Sequence, residues 1–153
     1  MSDTLDLVII GAMYGKGKRA NKYGALLLAV YDKKQDVFRS FCKVGTGFSD
    51  EQLQRIYEIL QKNIIKNKHV RVDSEMDMDV WFEPEIVLEV SGSEITISPI
   101  HTSNMNEIRK NFGLALRFPI FTGRIREDKK AQDVTTTKEI MNEYEKQLKK
   151  VKN

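Results

Sequence analysis

Three cations close the segment that runs from residue 117 to residue 129, whose sequence is RFPIFTGRIREDK. Apolar residues alternate ahead of Arg124, Arg126 and Lys129, and an alternation of this kind is typical of a strand. We therefore expect a strand to deliver these positive groups to one place. Guanidinium and ammonium groups are the usual protein partners of phosphate oxygens, so the segment predicts a site for a phosphate-bearing ligand.

A second group of cations, which we call the basic loop, lies in the glycine-rich residues 15–24 and contains Lys16, Lys18, Arg19 and Lys22. No acidic residue occurs from residue 7 to residue 31, whereas every charged residue from 73 to 107 is acidic. Such a separation of basic and acidic residues produces an uneven electrostatic field, which favours the approach of a polyanion to the basic side. We therefore expect the basic loop to contact DNA phosphates. Charge alone also fits the alternative of solvated loop residues.

The glycines of the basic loop allow two interpretations. Gly15, Gly17 and Gly24 can supply positive φ in a tight connection or let the backbone approach a ligand, and the cations between them favour the second. The later run Gly45-Thr46-Gly47 lacks the lysine of a phosphate-binding P-loop. We interpret it as the turn into a helix.

Composition indicates one domain of ordinary globular character, with 153 residues, 41% hydrophobic content and a net charge of +3. No apolar run approaches the roughly 20 residues that cross a membrane, and no signal-peptide pattern is visible, so we expect an intracellular protein. Cys42 lies in an apolar alternation and predicts a buried thiol. His69 and His101 are each isolated, so we expect no metal site.

The hydrophobic pattern predicts strands first and then a helix. Apolar or alternating runs over residues 5–13, 25–31 and 37–44 predict three consecutive strands that form a meander. Ser49 and Gln52 match a capping box. The following apolar residues recur at helical spacing as far as Ile64, which predicts a helix of about four turns.

The second half predicts further strands and a terminal helix. Residues 80–82, ahead of Pro84, predict a short edge strand, with Trp81 and Phe82 in the core because their neighbourhood is acidic. Residues 86–90 and 94–98 flank Ser91-Gly92-Ser93 and predict a hairpin, and residues 114–118 predict one more strand.

Thr136 and Glu139 predict a second capping box, ahead of a basic helix with a thin apolar stripe. The stripe consists of Ile140, Tyr144, Leu148 and Val151. We therefore divide the chain into a domain of residues 1–134 and a basic helix or tail of residues 135–153. Five or more short strands with one inserted helix fit a partly open barrel of the oligonucleotide-binding (OB) type, among other small barrels.

The 117–129 segment resembles the last nucleotidyltransferase motif, Arg-x-Asp-Lys, of ATP-dependent DNA ligases. Residues 6–11, 15–24, 42–48 and 80–84 resemble the same family in the same order. The resemblance implies the C-terminal domain of such a ligase, with an all-β OB-fold: a five-stranded Greek-key barrel, one inserted helix and a C-terminal helix.

Two motifs of the family are missing from this chain. Its nucleophilic lysine lies in a Lys-x-Asp-Gly segment, followed by Glu-Gly-x-x-x-Lys, and this chain has no Asp-Gly pair. We therefore expect the chain alone to be inactive and to need the adenylation domain of a longer polypeptide. The resemblance implies ATP and Mg²⁺ as cofactors of that enzyme, neither held stably by this chain, and nicked duplex DNA as a partner. The expected location is the cytoplasm of an archaeon or the nucleus of a eukaryote.

The resemblance also implies residue roles. Arg126 and Lys129 would bind the β and γ phosphates of ATP during self-adenylation, Asp128 would hold their geometry, and Arg124 would also bind the cofactor. A hinge at or just before Asp3 would let the domain close on the nucleotide and then turn to DNA.

Arg117 and Phe118 would face DNA, with Phe118 against the minor groove; a core phenylalanine is the alternative. Ile120 stands where the family usually has an arginine, which removes one possible phosphate contact.

Three other functions fit parts of the sequence. A free-standing single-strand or nick-binding OB module would use the same basic loop but would not need the Arg-x-Asp-Lys segment. The equivalent domain of an RNA ligase or a capping guanylyltransferase would share the barrel, although we do not expect the basic loop and residues 42–48 together there. A purely structural domain leaves the charge segregation unexplained.

Overall fold

The structure is a computed structural model that describes residues 3–152, with side chains as far as residue 150. Its centre is an antiparallel meander of three long strands, β1 (Leu5–Tyr14), β2 (Tyr23–Asp32) and β3 (Val37–Val44). A 3-10 turn over Gly17–Arg19 lies between β1 and β2. The predicted meander is confirmed.

The first helix, α1 (Asp50–Leu60), follows β3 and buries Leu53, Ile56 and Leu60. The Ser49 side chain accepts from the Gln52 backbone, and the Gln52 side chain accepts from the Ser49 backbone, so the predicted capping box is confirmed. The α-helical part makes about three of the predicted four turns, because it has 11 residues. A 3-10 turn over Gln61–Asn63 ends the helix, and Ile64 begins a strand instead.

Three short strands come next: β4 (Ile64–Ile65), β5 (Val72–Asp73) and β6 (Val80–Phe82). β5 pairs with β3 in parallel, whereas β6 lies between β1 and β4. The prediction that β6 is an edge strand is therefore wrong. Pro84 lies beyond the strand and removes none of its donors, so it does not prevent pairing on both sides.

The remaining strands are β7 (Val87–Ser91), β8 (Glu94–Ser98), β9 (Gly113–Arg117) and β10 (Ile120–Ile125). β7 pairs with β1 and β10, whereas β8 pairs with β9 in a separate two-stranded sheet, so the predicted β7–β8 hairpin is wrong. The chain changes sheet at Gly92, where an added Cβ would lie 2.4 Å from the Leu116 side chain. The turn sequence marked a change of direction but not the partner strand.

The last elements are a 3-10 turn over Ala131–Asp133 and helix α2 (Thr137–Lys152). The Thr136 and Glu139 side chains cap each other's backbone N–H groups, which confirms the second capping box. Ile140 and Tyr144 are buried in the core, and Leu148 is half-exposed. The side chain of Val151 lies outside the described residues.

Two hydrophobic clusters pack on opposite sides of the meander, and α1 and α2 contribute to the larger one. Phe82 and Cys42 are buried in that larger cluster, and Trp81 packs against the smaller one, as predicted. Burial raises the pKa of the Cys42 thiol. The main sheet is not closed, with β10 and β5 at the ends of its order, which fits a partly open OB-type barrel.

Among residues 3–152, no helix is both long and apolar enough to cross a membrane. The same residues hold no group of three or more His, Cys, Asp or Glu side chains placed to bind a metal ion. His69 pairs with Glu83 at 3.1 Å, and His101 Nδ1 lies 3.3 Å from Ser40 Oγ. Burial, together with the charge of Lys43, lowers the pKa of His101 to about 4.

Candidate functional site

Arg126, directly after β10, is clamped between two carboxylates. Its Nη1 lies 3.0 Å from each Asp6 oxygen, and its Nε and Nη2 lie 3.1 Å from the two Asp128 oxygens. The pair with Asp128 is bidentate, which fixes the plane of the guanidinium. The Arg126 side chain is only 14% exposed, and its backbone N–H donates to the Val87 carbonyl oxygen of β7 at 2.8 Å.

The other two predicted cations lie beside it. Lys129 Nζ is 2.7 Å from Asp6 Oδ2, and Arg124 Nη1 is 3.5 Å from Glu89 Oε2, which also lies 3.9 Å from Arg126 Nη1. The structure thus brings all three cations together with three carboxylates. We call these residues the phosphate cluster: Asp6, Glu89, Arg124, Arg126, Asp128 and Lys129.

The sequence prediction missed Asp6 and Glu89. They are cross-strand partners on β1 and β7, and β10 lies on the other side of β7. No local pattern signals them, because each is a single acidic residue in an apolar strand. Only the order of the strands brings them to the cations.

Hydrogen bonds from Arg126 lower the pKa of Asp128 to about 2, and its carboxylate in turn raises the pKa of Arg126. Both groups therefore remain charged at neutral pH. Because three positive groups face three negative groups, the cluster carries little net charge. A phosphate that entered it would have to replace part of these internal contacts.

The lysines of the basic loop lie on the surface. Lys16 and Lys18 are exposed and Lys22 is half-exposed. Within the part of the chain that the structure describes, none of the three side chains forms a hydrogen bond or an ion pair with a carboxylate. Their charges are therefore available to an anionic partner.

Arg19 is placed differently from these lysines. Its Nη1 donates to the carbonyl oxygen of Gly45 at 2.8 Å and to that of Gly24 at 3.3 Å. The guanidinium therefore joins the basic loop to the residues before α1. A contact between Arg19 and DNA stays a prediction, whereas its contact with these backbones is observed.

Close backbone packing explains two of the three loop glycines. An added Cβ would lie 2.9 Å from the Gly15 Cα if placed at Gly24, and 2.3 Å from the Arg19 oxygen if placed at Gly15. Gly17 is different, because its φ is +60° and nothing lies within 4 Å of an added Cβ. Of the three, Gly17 is the one whose backbone is open to a ligand.

The Gly45–Gly47 turn leads into α1, as predicted, and also touches the start of β10. The Phe121 N–H donates to the Thr46 carbonyl at 2.9 Å. At Gly47, whose φ is +97°, an added Cβ would lie 2.3 Å from the Phe121 oxygen. The turn therefore connects the basic loop, through Arg19, with the segment that contains Phe118.

Phe118 projects from the surface between β9 and β10. Its side chain is 65% exposed and its φ is +52°, so the alternative of a core phenylalanine is wrong. The Arg117 guanidinium lies 4.9 Å from the centre of the Phe118 ring and also pairs with Glu94 at 3.2 Å. Ile120, beside it, is 44% exposed. The surface here is apolar with one neighbouring cation.

Comparison with known proteins identifies relatives over most of the chain. A family model described as the ATP dependent DNA ligase C terminal region matches residues 19–129. The DNA ligase of Nitrosopumilus maritimus is 54% identical over 149 residues, which cover 97% of this chain and 25% of that protein. The probable DNA ligase of Persephonella marina is 48% identical over 97% of this chain and 25% of its own length. The chain thus spans about a quarter of these curated relatives.

A solved structure supports the fold assignment. The ligase domain of Mycobacterium tuberculosis LigD is similar with a TM-score of 0.64 and 25% sequence identity, over 87% of this chain and 38% of that one. A mycobacterial DNA ligase D complexed with ATP and MES has a TM-score of 0.61 at 24% identity, over 88% of this chain and 38% of that one. The predicted OB-type fold is therefore confirmed, with a sheet that is not closed.

Proposed function

This chain belongs to the family of ATP-dependent DNA ligase C-terminal regions, and from that premise we propose that its two cationic surfaces serve two successive steps of ligation. In the first step, the phosphate cluster would orient the triphosphate of ATP while an adenylation domain of the same polypeptide takes up AMP. In the second step, the basic loop and Phe118 would contact nicked duplex DNA. Both steps would take place in a longer protein that also contains the adenylation domain. The curated relatives are about four times as long as this chain.

The observation that carries the first role is the convergence of Arg124, Arg126 and Lys129 at the end of β10. ATP with its Mg²⁺ would supply the AMP and the pyrophosphate leaving group. Arg126 and Lys129 would stabilise the negative charge that develops on that leaving group, which is how positioned cations assist phosphoryl transfer. Asp128 would hold the Arg126 guanidinium in its plane through the bidentate contact.

The second role is supported by two features, the lysines of the basic loop and the exposed Phe118. The unpaired lysines of the basic loop fit phosphate contacts that position DNA without reading its sequence. Exposed Phe118 fits an apolar contact in the minor groove. The Arg19 bridge and the Gly45–Gly47 turn hold these two features in a fixed relation.

The two roles need different domain orientations. A hinge at or just before Asp3 would let the phosphate cluster face the nucleotide first and the DNA surface face the nick later. This chain would turn as a unit, because β1 begins at Leu5 and pairs with both β2 and β7.

Single-turnover rates in the longer ligase, which contains the adenylation domain, test this proposal. Arg126→Ala and Lys129→Ala should slow self-adenylation by roughly 10² to 10³-fold, by analogy with the loss of one preorganised donor, and should affect sealing of pre-adenylated nicks much less. Phe118→Ala should show the opposite pattern, because its partner would be the groove. Arg39→Ala is the matched control, since Arg39 is a half-buried arginine that pairs with Asp32 and Asp73 away from the cluster.

The proposal fails if the Arg126 and Lys129 variants slow both steps equally, as expected for Arg39→Ala. Such a result would show that the cations contribute only to the stability of the fold. If Phe118→Ala slows self-adenylation and sealing equally, Phe118 has no specific role in DNA binding.

A further inference from the structure

Asp6 occupies a point where three parts of the fold meet. It lies near the start of β1, opposite Glu89 of β7. Its N–H donates to Thr135 Oγ1 at 3.2 Å, and its carbonyl accepts from the Thr135 N–H at 2.9 Å. The Asp6 backbone is therefore fixed by β1, by β7 and by the segment that leads into α2. Asp3, where we place the hinge, is only three residues away.

One carboxylate holds two of the cluster's cations. Both Asp6 oxygens lie 3.0 Å from Arg126 Nη1, and Oδ2 also lies 2.7 Å from Lys129 Nζ. The side chains of Asp6 and Arg126 are each only 14% exposed. Ionic hydrogen bonds that are largely withdrawn from water hold geometry better than exposed surface pairs do.

Neither of the other carboxylates in the cluster duplicates this contact. Asp128 binds the opposite edge of Arg126 and is 63% exposed, and Glu89 lies 3.9 Å from Arg126 Nη1. Within the described residues, Lys129 pairs with no carboxylate except Asp6. The distance between the guanidinium and the ammonium therefore depends on Asp6.

We infer that Asp6 is a positioning residue for the adenylation step, which holds Arg126 and Lys129 as a pair aimed at the nucleotide phosphates without touching the nucleotide. This inference rests on the proposed function of those two cations. Without the Asp6 charge, two neighbouring cations would repel each other, and the flexible Lys129 side chain would lose its only carboxylate partner among the described residues. Asp6 also links these two cations to β1, so they would move together with the whole domain when it rotates about the hinge.

The test is Asp6→Asn in the longer ligase, with the same pair of single-turnover rates. Self-adenylation should slow by roughly 10 to 100-fold, by analogy with groups that orient other active-site residues, while sealing of pre-adenylated nicks stays within about threefold of the unmodified enzyme. Asp6→Glu keeps the charge but lengthens the side chain, so its adenylation rate should lie between those of Asn and Asp. If Asp6→Asn fails to fold, Asp6→Glu provides the test instead.

The matched control is Asp32→Asn. Asp32 is 16% exposed and pairs with Arg39 at 2.8 Å, so it resembles Asp6 in burial and in partner type but lies outside the phosphate cluster. Asp32→Asn should lower the stability of the fold, and any loss of rate should be similar for self-adenylation and for sealing. Thermal unfolding of both variants separates this loss from a change in rate.

Two outcomes would overturn the inference. If Asp6→Asn slows both steps as Asp32→Asn does, Asp6 is only structural. If the Arg126 and Lys129 variants slow adenylation selectively while Asp6→Asn and Asp6→Glu leave it unchanged, the proposed function stands and the role of Asp6 is wrong. A failure of the proposed function itself would show instead as unselective losses in the Arg126 and Lys129 variants, and the role of Asp6 would fall with it.

Discussion

Arg19 Nη1 donates a hydrogen bond of 2.8 Å to the carbonyl oxygen of Gly45, 26 positions along the chain. The same nitrogen lies 3.3 Å from the Gly24 carbonyl, and an added Cβ at Gly45 would lie 2.7 Å from that Gly24 oxygen. The glycines let two backbones come close, and the guanidinium satisfies carbonyls of both. This contact sets the position of the basic loop relative to the rest of the proposed DNA surface.

Arg19→Ala should lower the free energy of unfolding by about 2 kcal/mol, because a charged donor to two carbonyls is lost. Lys18→Ala is the control, since the exposed Lys18 side chain makes no such contact, and it should change stability by less than about 0.5 kcal/mol. Urea unfolding of the isolated chain measures both. Equal stability of the two variants would mean that the Arg19 bridge contributes nothing to the fold.

The double variant Lys16→Ala/Lys18→Ala should weaken duplex binding to a similar degree for every DNA sequence. The slope of log affinity against log salt should fall by up to about one unit per lost phosphate contact. Lys33→Ala/Lys34→Ala is the control, because these exposed lysines lie in the turn between β2 and β3. Titrations at several salt concentrations compare the two. If both double variants reduce the slope of log affinity against log salt equally, only the total charge matters and the basic loop has no special role.

The chain by itself should neither form a covalent AMP adduct nor seal nicked DNA, because it lacks the Lys-x-Asp-Gly nucleophile. Incubation with labelled ATP, followed by denaturing electrophoresis, measures the adduct. The longer ligase serves as the positive control. An acid-stable, stoichiometric label on the isolated chain would contradict this prediction.

His101 should make stability fall as the pH drops below 6.5. Its folded-state pKa of about 4 lies below the unfolded value near 6.5, so the unfolded chain binds the proton first. Between pH 7.5 and pH 5 this difference removes about 2 kcal/mol. Urea unfolding at both pH values, compared with His101→Gln, isolates the contribution. A variant with the same pH dependence as the original chain would show that His101 does not cause it.

Local signals in the sequence predicted local structure well. The Ser49 and Thr136 capping boxes each depend on a partner three residues away, Gln52 and Glu139, and both formed as predicted. The strand from Val37 to Val44 was also predictable from alternation. In each case the interactions that decide the structure lie within a few residues of one another.

Predictions failed where a distant partner decided the outcome. Helical spacing extended to Ile64, but pairing with Phe82 draws that residue into β4. Ser91-Gly92-Ser93 has the composition of a hairpin turn, yet β8 pairs with β9, and at Gly92 the chain passes close to the Leu116 side chain. A turn sequence specifies a change of direction and leaves the partner strand undetermined.

The sequence by itself determined the chemistry of the site: the cations Arg124, Arg126 and Lys129, the lysines of the basic loop and the lack of the nucleophile motif. Only the tertiary structure decided which groups hold those cations and which side chains are free. Asp6 and Arg126 are 120 positions apart, and β7, between β1 and β10, brings them together. Strand order fixes such contacts through long-range pairing and packing, and neither leaves a local pattern that the sequence alone could show.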